Sequence, residues 1–74
     1  QATKLRVVTP ADGTDLPDGI CRALFIGTSG DIVVIAGDDE DAVTVSNVPV
    51  GILPISVARV LATGTTATDI VALY

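Results

Sequence analysis

Short segments rich in Val and Ile, each closed by turn-forming residues, run through the whole chain and restrict it to β structure. No segment keeps a helical apolar stripe for longer than two turns, and lengths of six to ten residues are typical of strands. The sequence therefore predicts an all-β fold, a small antiparallel sandwich or barrel that is jelly-roll-like and oligomeric. The six predicted strands span 4–9, 20–27, 31–36, 42–47, 53–62 and 69–74.

The residues between these segments predict how the strands connect. The run 10–19 holds two Pro, two Gly and three Asp, a composition typical of a surface loop. Residues 28–30 predict a hairpin between segments 20–27 and 31–36, and the acidic run 37–41 predicts the tip of another hairpin. Pro54 places the start of segment 53–62 at a sheet edge, because proline donates no ladder hydrogen bond. We expect one β domain that spans residues 1–74.

Three of the six predicted strands, 20–27, 31–36 and 69–74, are apolar on both faces. Leu24 and Ile26, for example, alternate with Ala23 and Phe25 rather than with polar residues. Antiparallel strands with one solvated face alternate apolar and polar residues. A second buried layer is therefore expected, and a neighbouring subunit is one source of it. One substitution at Ile70 or Val71 is expected to unfold the subunit, and the other to prevent assembly.

Size also favours association. Burial in a 74-residue chain contributes about as much stability as ordering the chain costs. Cys21 has no partner for an internal disulfide, and no His/Cys cluster offers a zinc site. A cyclic homo-oligomer of three or five copies is the stabilising device that remains.

The residues that catalysis usually requires are scarce. The chain has no His to activate Ser29, Ser46, Ser56 or Cys21, and Cys21 is expected to be a small buried hydrophobe. The glycine-rich segments 27–30 and 64–66 match no phosphate-binding loop and are interpreted as turns. We expect no enzyme activity, no catalytic residue and no cofactor.

Charge and aromatic content exclude further classes of protein. Four cations against nine acids give a net charge of −5, which leaves too few Lys and Arg residues for a basic surface that binds nucleic acid. The longest uncharged run, 42–58, is too short and too interrupted by proline and glycine for a membrane helix. With Phe25 and Tyr74 as the only aromatics, a stacking platform for sugars is not expected.

Two groups of carboxylates are the candidates for a metal site. Calcium takes six to eight oxygen ligands, but a tight turn cannot easily aim four adjacent carboxylates inward, and three Asp spaced by three residues give no known ligand pattern. We predict that both groups are solvated and hold no metal. The alternative, a small β-barrel module that binds an ion or ligand through its Asp-rich loops, stays open. The groups are Asp38-Asp39-Glu40-Asp41 and Asp12, Asp15 and Asp18.

Most of the chain resembles one family. The stretches FIGTSGDIVVI (25–35), VTVSNVPVGILPISVARV (43–60), ATGTTATDIVALY (62–74) and the start, 2–24, are similar to the head-spike base proteins of bacterial gene transfer agents and related tailed phages of marine alphaproteobacteria. The resemblance implies a virion protein on the outer capsid surface, assembled in the host cytoplasm. Its role there would be that of a spike or fibre base, or of a cement (decoration) protein.

The same resemblance implies the major capsid protein and a spike fibre protein as partners. They join the further copies of the chain expected from its size, and neither nucleic acid nor a membrane is expected as a partner. The resemblance carries over no binding residues, so the contacts to capsid or subunits stay unknown. Lys4 and Arg6 are interpreted either as partners of carboxylates on a neighbour or as ordinary solvated cations, because exposed ion pairs contribute only about 0–1 kcal/mol each.

Overall fold

The structure, a computed structural model, describes residues 3–38 and 40–74. Seven strands form two antiparallel sheets, a four-stranded sheet in the order β1-β7-β2-β5 and a three-stranded sheet in the order β4-β3-β6. Within the described ranges there is no helix of a length and hydropathy that would span a bilayer. The strands are β1 (Leu5–Val7), β2 (Ala23–Thr28), β3 (Gly30–Ala36), β4 (Val43–Val48), β5 (Gly51–Leu53), β6 (Val57–Leu61) and β7 (Thr68–Leu73).

The all-β, antiparallel prediction is confirmed, but the barrel option is wrong because the strands form two separate sheets. The count of six strands is also wrong, since Gly51–Leu53 forms a strand of its own, β5, and the rest of the predicted strand 53–62 begins only at Val57, as β6. Pro54 has no N–H to continue a ladder, and the Ile55 N–H donates to the Leu53 carbonyl at 2.9 Å, which closes a tight turn. β5 lies at the edge of the four-stranded sheet, as the proline predicts.

The predicted hairpin between residues 20–27 and 31–36 is wrong. Only Ser29 separates β2 from β3, and the two strands belong to different sheets. At this corner the chain passes close to the segment that precedes β7: a Cβ on Gly30 would lie 2.7 Å from the Ala67 nitrogen. The second predicted hairpin is confirmed, because β3 and β4 pair antiparallel on either side of the acidic turn.

The core lies between the two sheets. In the four-stranded sheet Leu24 pairs with Ala72 and Ile26 with Ile70, and all four side chains are buried. Cys21 is free and 1% exposed, so the prediction of a small buried hydrophobe is confirmed. Burying a large aliphatic side chain contributes about 1.5–3 kcal/mol, and the three-stranded sheet supplies Ile32, Val34, Val57 and Val60.

A β-bulge changes which residues of β6 face this core. Ile35 pairs with Arg59 but Ala36 pairs with Val57, so Ala58 is an extra residue on β6. A bulge interrupts the two-residue alternation of side chains, and Val57 and Val60 are consequently both buried. Leu61, one residue after Val60, is consequently outside the core cluster.

The loop that follows β1 closes the outer edge of β6. The N–H groups of Ala11, Leu16 and Cys21 donate to the carbonyls of Val60, Ala58 and Val57 at 2.9, 2.9 and 3.2 Å. These bonds satisfy backbone acceptors that an edge strand otherwise exposes. The same contacts fix the position of the Asp-rich part of the loop against the three-stranded sheet.

Candidate interaction surface

Hydrocarbon side chains cover the side of the four-stranded sheet that points away from the core. Successive side chains of a strand point to opposite faces, so Phe25 points outward between the buried Leu24 and Ile26. Pairing then places the outward residues of the other three strands beside it. We call this surface the outer face, and it consists of Leu5, Phe25, Ile52, Val71 and Leu73.

The outer face is open to solvent at both of its lateral edges. Leu5 on β1 is 62% exposed and Ile52 on β5 is 65% exposed, while Phe25 between them is 39% exposed. Val7, which pairs with Val71 at the β1 edge, is 84% exposed. The largest contiguous apolar patch on a protein surface is often functional, so the outer face is the candidate interaction surface. The five side chains of this surface include no nucleophile, acid or base, so a partner interacts with it by burying apolar area.

β3 is also apolar on both faces, but the chain itself covers its second face. Val33 is buried although it lies outside the main core cluster. The segment that joins β6 to β7 lies against it: the Val33 N–H donates to Thr65 Oγ1 at 3.0 Å. A Cβ on Gly64 would lie 3.0 Å from Val33 Cγ2. The second layer expected for this strand therefore comes from within the chain.

Asp12 fastens the loop to the segment after β6. Its carboxylate accepts hydrogen bonds from Thr63 Oγ1 at 2.6 Å and from the backbone N–H groups of Ala62 and Thr63, each at 2.9 Å. Bonds to the charged form favour that form, and the bond from the Thr63 hydroxyl is the main reason that the pKa of Asp12 lies below its ordinary value. Asp12 thus has an internal structural role.

The other two carboxylates of the loop bind two different cations of the chain. Asp15 accepts from Arg59 Nε at 2.8 Å, and Asp18 accepts from Arg6 Nε at 3.0 Å. The three candidate carboxylates of the loop thus bind donors on separate elements, and the structure does not bring them together as one site. Arg6, weighed as a contact to a neighbour, already has a partner within the chain.

The acidic turn lies at the β3–β4 connection, as predicted. Asp38, Glu40 and Asp41 are exposed, and Asp39 lies outside the described residues. No group of three or more acidic, His or Cys side chains within the described ranges could hold a metal ion. The alternative of an ion-binding module gains no support from the placement of these residues.

The remaining sequence candidates lie apart from one another. Ser29 is at the corner between the sheets, Ser46 is in β4 and Ser56 precedes β6. In the segment 27–30, Gly27 permits β2 to approach β7 closely, since a Cβ there would be 2.6 Å from the Asp69 Cβ.

Tyr74 donates a hydrogen bond from its hydroxyl to the Gly19 carbonyl at 2.9 Å, and partial burial raises the pKa of its phenol.

Comparison with known proteins decides the family. Neither a family model nor a curated protein matches the chain. A solved structure does: a chain in the capsid of the native gene transfer agent (GTA) particle, computed with C5 symmetry, is 39% identical. The match covers 100% of this chain and 84% of that one, with a TM-score of 0.86. The chain belongs to the family of this GTA capsid component.

Membership in the GTA capsid family confirms one part of the resemblance found in the sequence, namely that the chain is related to a component of a gene transfer agent particle. The match covers the whole of this chain, and therefore every strand that contributes to the outer face. The narrower likeness to a head-spike base protein concerns a role within the particle, which the fold alone does not specify.

The sequence indicated a second apolar layer but not its limits. Phe25, Val71 and Leu73 were marked by the two-faced patterns of their strands. Leu5 and Ile52 were missed as members of this surface, because β1 and β5 are only three residues long and their pairing with distant strands places them there. The signal in the sequence that could have indicated them was the apolar residue in each of these short edge segments.

Proposed function

We propose that the chain is a non-enzymatic structural protein of the virion, located on the outside of a tailed-phage or gene-transfer-agent head. The observation that carries the proposal is the full-length match, at 39% identity, to a chain of a GTA capsid. The outer face supports it, because a subunit of an assembly can cover apolar surface that a free monomer leaves in water.

Within the particle, the chain acts as a spike or fibre base or as a cement protein, and it binds the major capsid protein. Three or five copies associate around a symmetry axis, and a spike fibre protein is a further partner. Rotational closure of one repeated contact produces rings of this kind. Residues 1–74 act as one β domain, and assembly takes place in the host cytoplasm.

A structural role also agrees with the chemistry of the described residues. Cys21 is buried in the core, and the three serines lie on separate elements. The carboxylates of Asp12, Asp15 and Asp18 accept hydrogen bonds from donors of the chain itself. These carboxylates therefore stabilise the fold.

Imaging of the native particle tests the location. The expected result is density with this two-sheet shape on the outside of the head, at fivefold or threefold positions. Labelling the chain with a small tag identifies the density, and an untagged particle is the control. Density confined to the tail would contradict the proposal.

The mass of the purified chain, measured by light scattering at micromolar concentration, tests the copy number. The expected mass is three or five times that of the 7.5 kDa chain. A well-folded species that stays at the mass of one chain at all concentrations would contradict the oligomer while leaving the location untouched.

A further inference from the structure

We propose that the outer face is the surface by which the chain docks on the shell, and that its occupant is an apolar, uncharged surface of the shell protein. This inference rests on the proposed function and adds to it the side of the molecule that faces the particle. It is carried by the composition, the area and the position of the outer face.

The composition of the outer face selects the chemistry of the occupant. All five of its side chains are hydrocarbon, from Leu5 on one edge strand to Ile52 on the other. An anion, a metal ion or a sugar finds no side-chain donor or ligand there. A protein surface with its own aliphatic or aromatic side chains gains free energy by excluding water from it.

The area of the outer face argues against a second copy as the occupant. Four strands about 4.8 Å apart and three to six residues long give a face of roughly 300 Å². Two such faces packed together would bury about twice that area. Stable interfaces bury at least about 1,000 Å² in total, so face-to-face pairing of two copies is too small to hold by itself.

A shell surface overcomes this limit in two ways. First, exposed apolar residues adjoin the outer face, since Val7 at the end of β1 is 84% exposed and Val50 just before β5 is 60% exposed. A broad lattice can follow the molecule beyond the flat sheet. Second, several copies around one axis present several faces together, and multivalent contact raises the effective concentration of each.

The opposite side of the molecule has the character of a solvent-facing surface. Thr44 and Ser46 on β4 are exposed, and so are Asp38, Glu40 and Asp41 in the turn before this strand. With the apolar side against the shell, this polar and acidic side points away from the particle. Docking in the reverse orientation would bury carboxylates, which costs several kcal/mol per unpaired ion.

Cosedimentation with particles that lack this chain tests the assignment. The full chain is added to such particles as wild type, Ile52→Asp, Phe25→Asp or Val43→Asp. Val43 is the matched control, because it is 55% exposed on β4 of the other sheet. We expect Ile52→Asp and Phe25→Asp to weaken binding at least tenfold, since hot-spot truncations have effects of this size. Val43→Asp should bind like the wild type.

Two further measurements make each outcome decisive. Circular dichroism and melting verify that each variant folds, and Ile52, more exposed than Phe25, is the substitution least able to disturb folding. Light scattering without particles measures self-association. Unchanged particle binding by both variants would overturn the inference and leave the proposed function standing. A lower self-associated mass for Ile52→Asp would also overturn it, because the occupant is then a second copy. Failure of wild type to bind particles would refute the proposed function itself.

Discussion

Each sheet has a strand with apolar residues on both faces, but the two outer sides differ in what covers them. On the three-stranded sheet, Val33 is buried under the segment that joins β6 to β7. On the four-stranded sheet, Phe25 and Val71 share a surface that no other segment of the described chain covers. The same sequence pattern is therefore covered by the chain itself in one sheet and is left exposed for another molecule in the other.

The difference between the sheets comes from the connections. The β6–β7 connection passes from one sheet to the other, and Gly64 and Thr65 contact Val33 on the way. The loop before β2 instead runs along the edge of β6, where its backbone is hydrogen-bonded. Neither connection reaches the outer face. A two-faced strand thus indicates a second layer, and the path of the loops decides whether that layer is another molecule.

The largest expected effect contrasts two adjacent residues of β7. Ile70→Asp places an unpaired charge in the core, where Ile70 is 2% exposed, and should cost about 4 kcal/mol or more, enough to unfold a small domain. Val71→Asp lies on the outer face and should cost about 1 kcal/mol while abolishing particle binding. Urea unfolding and cosedimentation check both. Equal unfolding by the two substitutions would show that the outer face is also part of the core.

A substitution at Gly64 tests the internal cover of the three-stranded sheet. Gly64 has φ +90°, and a Cβ would meet Val33 Cγ2 at 3.0 Å. Gly64→Ala should therefore destabilise the fold by about 1–2 kcal/mol, measured by urea unfolding. The control is Gly19→Ala, which has the same φ of +90° but where a Cβ meets nothing within 4 Å, so this variant measures the backbone strain alone, about 1 kcal/mol. Equal stability of the two variants would mean that the segment does not press on Val33.

The pH dependence of unfolding tests the bond that anchors this cover. Because the pKa of Asp12 is lowered from 3.8, its ionised form is favoured in the folded state. Stability from such a group is fully present above the unfolded pKa and is lost as pH falls through the lower, folded-state pKa. Asp12→Asn should remove this loss, so its urea midpoint should fall less than that of wild type between neutral pH and about pH 2.

The donor side of the same bond provides the control. Thr63→Val removes the hydroxyl that bonds Asp12 Oδ2 and should reduce the acid-dependent loss in the same direction. In the Asp12→Asn background it should have a smaller effect than in the wild type, because both substitutions break one interaction. Additive effects would contradict the assignment of the lowered pKa to this bond.

The smallest expected effect concerns the acidic turn at the tip of the β3–β4 hairpin. We expect calcium to change the melting temperature no more than NaCl of equal ionic strength. A site that binds calcium only in the folded state would add about 2.7 kcal/mol at one hundred times its dissociation constant. A calcium-specific rise that Asp41→Asn or Asp39→Asn abolishes would show that the turn is a metal site.

Local patterns predicted the chemistry of the strands better than their pairing. The Val- and Ile-rich segments and the edge position of Pro54 were read correctly, since they depend on neighbouring residues. The corner at Ser29 was mistaken for a hairpin, because the sequence does not state that β2 and β3 find partners in different sheets. The bulge at Ala58 shifted the faces of β6 for the same reason, since it is set by the register with β3.

The candidate surface was predictable only in part. Leu73 and Phe25 belong to strands with apolar residues on both faces, whereas Ile52 lies outside every predicted strand. Its place beside Phe25 depends on the pairing of β5 with β2, which are more than twenty residues apart. An ion-binding loop of Asp12, Asp15 and Asp18 was the alternative interpretation, but separate donors across the fold hold these three carboxylates.

The position of β7 affects how the molecule is made. This strand is the last in the chain, yet it lies between β1 and β2, the first two. β1 therefore has no strand to pair with until β7 is in place, and pairing over such sequence separations is slow. The outer face takes side chains from all four strands and is complete only when β7 has joined β1 to β2. Formation of this surface thus depends on contacts between residues more than sixty positions apart.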